Sequence, residues 1–198
     1  MNELLKRYFD LLSKWNARMN LMSIDGLREF EEVHIRDARE LTHMLEGVNE
    51  AIDLGCGAGM PGIPLKILVP EIDVTLLDST RKKVSFCDEA IRSLGLTGIR
   101  TAWGRAEDPE VIERLGKFDA VISRATWELG EYLEMARSYV KPGGVIVAMK
   151  GPRWSEELSL ANDVITSSKL SLEATHKYEL KGGRIRTILK FAAPGDNT

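Results

Sequence analysis

The sequence is poor in the residues that form disulfides and metal sites in small proteins. It contains only two cysteines, Cys56 and Cys87, in 198 residues, and neither belongs to a CxxC pair. Two such cysteines are too few for a disulfide framework or structural zinc, and no metal site is expected. This cysteine usage fits a reducing compartment, so we expect a cytoplasmic protein.

An excess of one charge and a long apolar run are also missing. Lys and Arg number 27 against 30 Asp and Glu, which gives a formal net charge of −3. A protein that coats nucleic acid over its whole surface would be basic, so any such partner must meet a local patch. No stretch approaches the roughly 18 apolar residues that cross a bilayer, and the charged N-terminus argues against a signal peptide. We expect no membrane partner.

Length and composition predict one compact domain with two parts. The 43% apolar share is enough for a core and excludes disorder over most of the chain. Apolar residues at helical spacing predict one helix over residues 4–19 and another over residues 27–45. We therefore expect residues 1–48 to form a helical N-terminal cap and residues 49–198 to form the core.

Beyond Asn49, short apolar runs alternate with amphipathic stretches. Helices are predicted over residues 80–96, 109–115 and 128–140, and the Lys-Pro-Gly-Gly turn at 141–144 ends the last one. Seven strands are predicted, near residues 51–54, 74–77, 99–102, 120–122, 145–149, 170–178 and 184–191. This alternation predicts an α/β fold with a mostly parallel sheet covered on both faces, and the last two strands could form an antiparallel edge hairpin.

The most informative segment is the glycine-rich run DLGCGAGMPGIPL at residues 53–65. It follows the first predicted strand and leads into a helix. Glycines allow backbone conformations that are closed to other residues and let a ligand approach closely. In an open α/β sheet this turn lies at the carboxyl edge, where ligands bind.

One interpretation of this run is a dinucleotide site. Gly57, Gly59 and Gly62 fit the fingerprint G-x-G-x-x-G, and Asp78 follows where a ribose-binding acid belongs. Pro61, however, would remove an N–H group that a pyrophosphate needs. A glycine-rich turn between a strand and a helix can also be only a turn.

A second interpretation is the first motif of class I S-adenosylmethionine-dependent methyltransferases, D-x-G-x-G-x-G, matched by Asp53, Gly55, Gly57 and Gly59. The Asp53 carboxylate could hold the amino-acid end of the donor, directly or through water. Asp78 suits the ribose of either ligand, although it could also cap the following helix. We favour the methyl donor.

Other segments extend the match. They are Trp15-Asn16 with Asn20-Leu21, His34-Ile35 with Asp37, Leu76-Leu77-Asp78-Ser79, Val121-Ile122-Ser123-Arg124-Ala125 and Lys150-Gly151. Together with the Pro-Gly-Ile-Pro-Leu run at 61–65, which generic methyltransferases lack, they resemble the RsmG (GidB) family of bacterial 16S rRNA guanine-N7 methyltransferases over nearly the whole chain. Ala38 departs from the family, in which a serine usually follows the aspartate.

The resemblance implies a Rossmann-like class I methyltransferase that uses S-adenosyl-L-methionine and releases S-adenosyl-L-homocysteine. It implies donor contacts at Gly55, Met60, Ala106, Glu107 and Arg124, with Asp53, Gly57 and Asp78 supporting the same pocket. From the residues alone, Glu107 could equally stabilise the first turn of a helix. The implied target is N7 of a single guanine of 16S rRNA in the small ribosomal subunit, guanine 527 in the usual numbering, and no DNA partner is expected.

The chemistry of this reaction needs no catalytic base, because guanine N7 has an in-plane lone pair and no proton to lose. Arg124 and Lys150 are candidates for positioning the reactants. Candidate RNA contacts are Arg124, Lys150, Arg153, Trp154, Arg184 and Arg186, although each could be a solvated charge or a half-buried tryptophan. His34 and Asp37 are expected to make a buried structural hydrogen bond, and His176 is expected to have no partner.

Three other functions stay open. The first is methyl transfer to a small molecule or protein, which the Pro-Gly-Ile-Pro-Leu run disfavours. The second is a nicotinamide-dependent oxidoreductase, which titration with NADH would test. The third is a non-catalytic RNA-binding module, which the intact glycine turn and Asp78 disfavour because a dead site does not need them.

Overall fold

A seven-stranded sheet forms the centre of the computed structural model, which describes residues 2–124 and 126–195. Its strands are β1 (Glu50–Leu54), β2 (Asp73–Asp78), β3 (Ile99–Trp103), β4 (Phe118–Arg124), β5 (Val140–Lys150), β6 (Ser171–Leu180) and β7 (Arg184–Ala192). They lie in the order β3-β2-β1-β4-β5-β7-β6. The first five pair in parallel, and β7 is antiparallel to both β5 and β6. The predicted mostly parallel sheet with an antiparallel edge hairpin is confirmed.

Helices cover both faces of this sheet. Successive strand residues point to opposite sides, so one strand contributes apolar side chains to two hydrophobic clusters. In β4, Ala120 and Ile122 join one hydrophobic cluster, and Val121 joins the other. The core helices are α4 (Gly62–Leu68), α5 (Arg81–Leu94), α6 (Pro109–Leu115), α7 (Leu129–Ala136), α8 (Trp154–Leu160) and α9 (Asn162–Ser167). The last two were not predicted, and none of the described helices is both long and apolar enough to span a membrane.

In the N-terminal region the helix predicted over residues 4–19 is confirmed, whereas the second predicted helix is not. It contains α1 (Glu3–Met19), α2 (Ile24–Arg28), a π-helical segment (Phe30–Ile35) and α3 (Arg36–Thr42). The single helix predicted over residues 27–45 is wrong. Ser23 caps the short α2 by accepting a hydrogen bond from the Gly26 N–H at 3.0 Å. The wider π turn then buries His34 together with its apolar neighbours, which an α-helical periodicity would have spread around the axis.

A bulge in β5 accounts for a second difference. The predicted turn at residues 141–144 lies within this strand, and α7 ends at Ala136 instead of continuing to residue 140. Phe118 of β4 pairs with Val140, but Ala120 already pairs with Val145, so the intervening residues loop out of register. Gly143 (φ +71°) makes this excursion possible.

The C-terminal hairpin contacts the N-terminal helices through polar side chains. Their contacts are Tyr178 Oη to Asp37 Oδ1 at 2.6 Å, His176 Nε2 to Glu40 Oε2 at 2.7 Å, and Arg184 to both carboxylate oxygens of Glu29 at 2.9 and 3.0 Å. The expectation that His176 has no partner is therefore wrong. These contacts join the two ends of the described chain beside the carboxyl edge of the sheet.

Candidate functional site

The glycine-rich turn connects β1 to α4 at the carboxyl edge of the sheet. Gly55 (φ +68°) and Gly59 (φ +86°) both have left-handed backbone conformations. A Cβ atom on Gly55 would lie 2.9 Å from Thr126, and one on Gly59 would lie 2.4 Å from Ile63. Glycine is therefore required at both positions by conformation and by space.

Asp53 stabilises this turn from beneath. Its side chain is fully buried, and Oδ2 accepts a hydrogen bond from the Gly62 N–H at 2.9 Å. Burial raises the pKa of this carboxyl to about 7, although the Gly62 N–H and Arg124 act in the opposite direction. The structure places Asp53 as a brace for the turn, and it does not line the neighbouring cavity.

Asp78, at the end of β2, faces the same turn from the other side. Its Oδ2 accepts a hydrogen bond from the Gly57 N–H at 2.9 Å, and its Oδ1 accepts one from the Thr80 N–H at 2.8 Å. Lys83 Nζ lies 3.9 Å from Oδ2. The carboxylate thus fixes both the glycine turn and the start of α5. An ionised carboxylate has about four lone-pair sites, so capacity remains for further hydrogen-bond donors.

A cavity of about 500 Å³ opens between these loops. Four of the eight predicted donor residues line it, namely Gly55, Asp78, Ala106 and Glu107. Lys83, Thr126 and Trp127 also line it, and no motif had singled out the last two. An aromatic residue just beyond a predicted strand end is the signal that could have found Trp127.

The other four predicted donor residues do not line this cavity. Met60 is buried, and Gly57 meets Asp78 through its N–H group. Arg124 extends from the end of β4 toward the N-terminal helices and not into the cavity.

Among the residues that line the cavity, Ala106 is fixed through its backbone, because Tyr139 donates a hydrogen bond to its carbonyl oxygen at 2.8 Å.

Arg124 is the centre of a mostly buried polar cluster. It donates hydrogen bonds to His34 Nδ1 and, at 3.3 Å, to Asp37 Oδ2. Burial, together with the guanidinium groups of Arg124 and Arg186, lowers the pKa of His34 to about 3, so the imidazole is neutral at pH 7. His34 and Asp37 thus both contact Arg124, and their structural role stays a prediction. Ala125, the last residue of the same sequence segment, lies outside the described residues.

Apart from Arg124, the predicted RNA contacts fall into two groups. Lys150 is 5% exposed, and its ammonium group lies 2.7 Å from Glu157 and 2.5 Å from the Trp127 carbonyl oxygen. Arg186 is also partly buried, and its Nε has no hydrogen-bond partner among the described residues. The remaining members lie nearer the surface. The side chain of Arg153 is 69% exposed in its ion pair with Glu128, and that of Arg184 is 48% exposed in its pair with Glu29. Lys177 Nζ lies over the Trp154 ring, 4.5 Å from the ring centroid.

Among the residues that the structure describes, no three His, Cys, Asp or Glu side chains lie close enough together to hold a metal ion. The site consists of a glycine turn, two carboxylates in different environments and a cavity beside them. This arrangement can bind the hydroxyl groups and the base of a nucleoside.

Comparison with known proteins decides the family. The family model described as rRNA small subunit methyltransferase G (GidB) matches residues 1–187. The chain belongs to this family. Proteins named ribosomal RNA small subunit methyltransferase G from Clostridium novyi (strain NT) and Myxococcus xanthus (strain DK1622) are 37% and 41% identical to it. Those alignments cover 97% and 95% of this chain, and 80% and 86% of the relatives.

The fold comparison agrees with this membership of the rRNA small subunit methyltransferase G family. The precorrin-6y C5,15-methyltransferase of Geobacter metallireducens GS-15 aligns with a TM-score of 0.60 at 16% identity, over 78% of this chain and 86% of that one. TrmN of Thermus thermophilus aligns with a TM-score of 0.63 at 18% identity, over 79% and 48% respectively. At these identities the likeness concerns the fold alone, and the predicted class I methyltransferase fold is confirmed.

Proposed function

We propose that this protein transfers a methyl group from S-adenosyl-L-methionine to N7 of a single guanine of 16S rRNA, guanine 527 in the usual numbering. The observation that carries the proposal is the placement of Asp78. This chain belongs to the rRNA small subunit methyltransferase G family. The Asp78 carboxylate accepts a hydrogen bond from the glycine turn, and Asp78 also lines the cavity of about 500 Å³. Its partner would be the small ribosomal subunit in the cytoplasm, with neither DNA nor a membrane involved.

The residues around the cavity suit the donor. Asp78 retains lone pairs for the ribose hydroxyl groups, and Ala106 and Glu107 offer a backbone and a side chain to the adenine. Gly55 and Gly57 bring the backbone close without a Cβ atom in the way. The bound donor supplies an electrophilic methyl group on a sulfonium. Asp53, beneath the turn, keeps these contacts in place.

The protein's part in the reaction is orientation. Guanine N7 has no proton to lose, so no side chain needs to act as a base, and the rate depends on aligning N7 with the methyl group. Arg124 lies at the end of β4, where Asp37 and the neutral His34 fix its guanidinium group. We assign it a positioning role between the cap and the site.

RNA would bind to the exposed basic residues among the candidate RNA contacts. Arg153 and Arg184 have exposed side chains whose present partners are single carboxylates on the surface. Such surface pairs are weak and exchange readily for phosphate contacts. Binding to the small subunit should therefore weaken as salt rises. Arg153→Ala should lower this affinity, whereas Arg92→Ala should not, since Arg92 forms a comparable exposed pair with Glu89 at the far end of α5.

The experiment that tests the proposal uses methyl-labelled S-adenosylmethionine and small subunits that lack the modification. The chain offers a matched pair of aspartates on β2: Asp78 at its carboxyl end, and the exposed Asp73 at its amino end. Label is expected at one guanine N7 with the wild type and with Asp73→Asn, and its loss is expected with Asp78→Ala.

The other outcomes are informative in different ways. Label at another position would retain the methyltransferase and overturn the target guanine. Label on naked 16S RNA alone would retain the 16S target and overturn the small subunit as the partner. No label despite measurable donor binding would remove the ribosomal substrate. Failure to bind the donor at all, with NADH bound instead, would replace the proposal by an oxidoreductase.

A further inference from the structure

Trp127 lies at the boundary between two cavities beside the glycine turn. The first is the cavity of about 500 Å³ described above, and the second, of about 440 Å³, is its neighbour. Trp127, Ala106 and Glu107 line both. The tip of the indole also covers Gly55, because a Cβ atom there would lie 3.0 Å from the ring. The indole therefore forms a wall shared by both spaces.

The orientation of this ring is fixed from below. Its plane lies within 11° of the Tyr132 ring, with centroids 6.4 Å apart. Tyr132 is itself buried and donates a hydrogen bond to the carbonyl oxygens of Val121 and Val147, each at 3.0 Å. One face of the indole is thus packed on a support that belongs to the core.

The backbone of Trp127 is held by a buried ion pair. Lys150 Nζ donates a hydrogen bond to the Trp127 carbonyl oxygen at 2.5 Å and lies 2.7 Å from Glu157 Oε2. The same carboxylate oxygen accepts a hydrogen bond from the Leu129 N–H at 3.1 Å. The side chains of Lys150 and Glu157 are only 5% and 11% exposed. The pair therefore fixes the segment at both sides of Glu128, four residues past the end of β4.

The second cavity is acidic at its rim. Glu107, Glu131 and Glu134 line it with a single opposing guanidinium group, that of Arg137. Such a rim disfavours a phosphate group and favours hydrogen-bond donors, such as the exocyclic amine of adenine. An aromatic wall beside it offers a stacking surface to any base.

We propose that Trp127 is the aromatic wall against which the adenosine of the methyl donor packs, and that Lys150 and Glu157 are its positioning pair. This proposal rests on the proposed function and deepens it. It also gives the buried Lys150 a task that does not require contact with RNA. Trp127 thereby becomes a determinant of affinity for the nucleoside part of the donor.

The test measures binding by calorimetry with two ligands that share the nucleoside. S-adenosylhomocysteine carries the amino-acid end, and 5′-methylthioadenosine lacks it. Trp127→Ala should weaken both ligands by about the same factor, on the order of tenfold. Trp127→Phe should restore most of the affinity for both, because a phenyl ring still provides a stacking face.

The ion pair is tested with neighbouring glutamates of α8. Glu157→Gln should weaken both ligands, whereas Glu156→Gln, an exposed change on the same helix, should not. Adding Glu157→Gln to Trp127→Ala should cause little further loss, because the pair acts through the indole. A merely structural role would instead lower the melting temperature and leave the nucleoside affinity of the folded variants unchanged.

Several results would overturn the proposal. Equal or tighter binding by Trp127→Ala would make the indole a plug, and a loss confined to S-adenosylhomocysteine would place it at the amino-acid end. Unchanged donor affinity with a raised KM for the ribosomal subunit would make it an RNA contact. If the wild type bound neither ligand, the proposed function itself would fail, which is distinguishable from all of these.

Discussion

Tyr8 of α1 donates its phenolic hydrogen bond to the carbonyl oxygen of Ala58, in the middle of the glycine-rich turn. Both residues are buried. Tyr139 makes the equivalent contact to Ala106 on the other side of the cavity. Two buried tyrosines from distant parts of the chain thus hold the two loops between which a nucleoside would bind.

Removing the Tyr8 hydroxyl should loosen the turn. Tyr8→Phe leaves the Ala58 carbonyl buried without its partner, at a cost of about 1–3 kcal/mol in the free energy of unfolding. We expect a weaker affinity for S-adenosylhomocysteine in addition. Ser123→Ala is the control, since it also removes one buried hydroxyl, which donates to the strand carbonyl oxygen of Leu54 at 3.0 Å.

The comparison between these two variants is made by calorimetry and thermal unfolding. Both should lose stability, but donor affinity should fall more in Tyr8→Phe at equal loss of stability. Equal effects on affinity would show that the cap contact has no special relation to the turn.

Gly57 and Gly95 form a second matched pair. Both have left-handed conformations, at φ +58° and +66°, and a Cβ atom on either would meet no heavy atom within 4 Å. Substitution by alanine should therefore cost each fold a similar amount, about 1–2 kcal/mol. Gly57 lies in the turn beside Asp78, whereas Gly95 ends α5. Only Gly57→Ala should weaken donor binding; equal donor affinity in the two variants would count against a ligand at this turn.

The buried Asp53 should make the protein less stable as pH rises. Its folded pKa of about 7 exceeds the unfolded value of 3.8, so the folded state binds more protons between these values. Stability is lost across that window, by at most about 1.4 kcal/mol per pH unit. In Asp53→Asn this loss should vanish, so the stability of the variant relative to wild type should rise up to about pH 7 and then level. Urea unfolding at several pH values measures it, and a difference independent of pH would contradict the assignment.

His34 should have the opposite effect. Its folded pKa of about 3 lies below the unfolded value of 6.5, so the unfolded state binds the proton first. Stability is therefore lost as pH falls from about 6.5 toward 3. His34→Gln cannot titrate, and its unfolding free energy should depend less on pH in this range. A wild-type slope that persists unchanged in the variant would assign the acid sensitivity to other groups.

Local chemistry explains what the sequence could predict. The alternation of apolar runs is enough to specify the seven strands, and the glycine turn is identifiable because its conformations require glycine whatever surrounds it. The resemblance implies one donor pocket for Gly55, Asp78, Ala106 and Glu107, and these residues do line one cavity, because the carboxyl ends of parallel strands meet at one edge. The family resemblance came from the same local segments.

Long-range contacts explain what could not be predicted. Arg124 binds the carboxylate of Asp37, which lies 87 residues away in the sequence, and Tyr178 binds the same carboxylate from 141 residues away. No periodicity encodes such pairs. In the π-helical segment at Phe30–Ile35, His34 likewise contacts Arg124 across 90 residues. The buried ion pair between Lys150 and Glu157 likewise joins a strand end to a helix that no local pattern relates to it.

The contacts between the C-terminal hairpin and the N-terminal helices have a consequence for biosynthesis. During translation the first helices leave the ribosome long before β6 and β7 exist, and domains form only as their contacts become available. Asp37 and Glu29 cannot make their contacts until Tyr178 and Arg184 have been synthesised. The polar cluster around Arg124 is therefore completed late in chain synthesis. The high sequence separation of these contacts also predicts slow final docking. A nascent chain that stops before β6 therefore carries the glycine turn but lacks the hairpin contacts that hold the cap beside it.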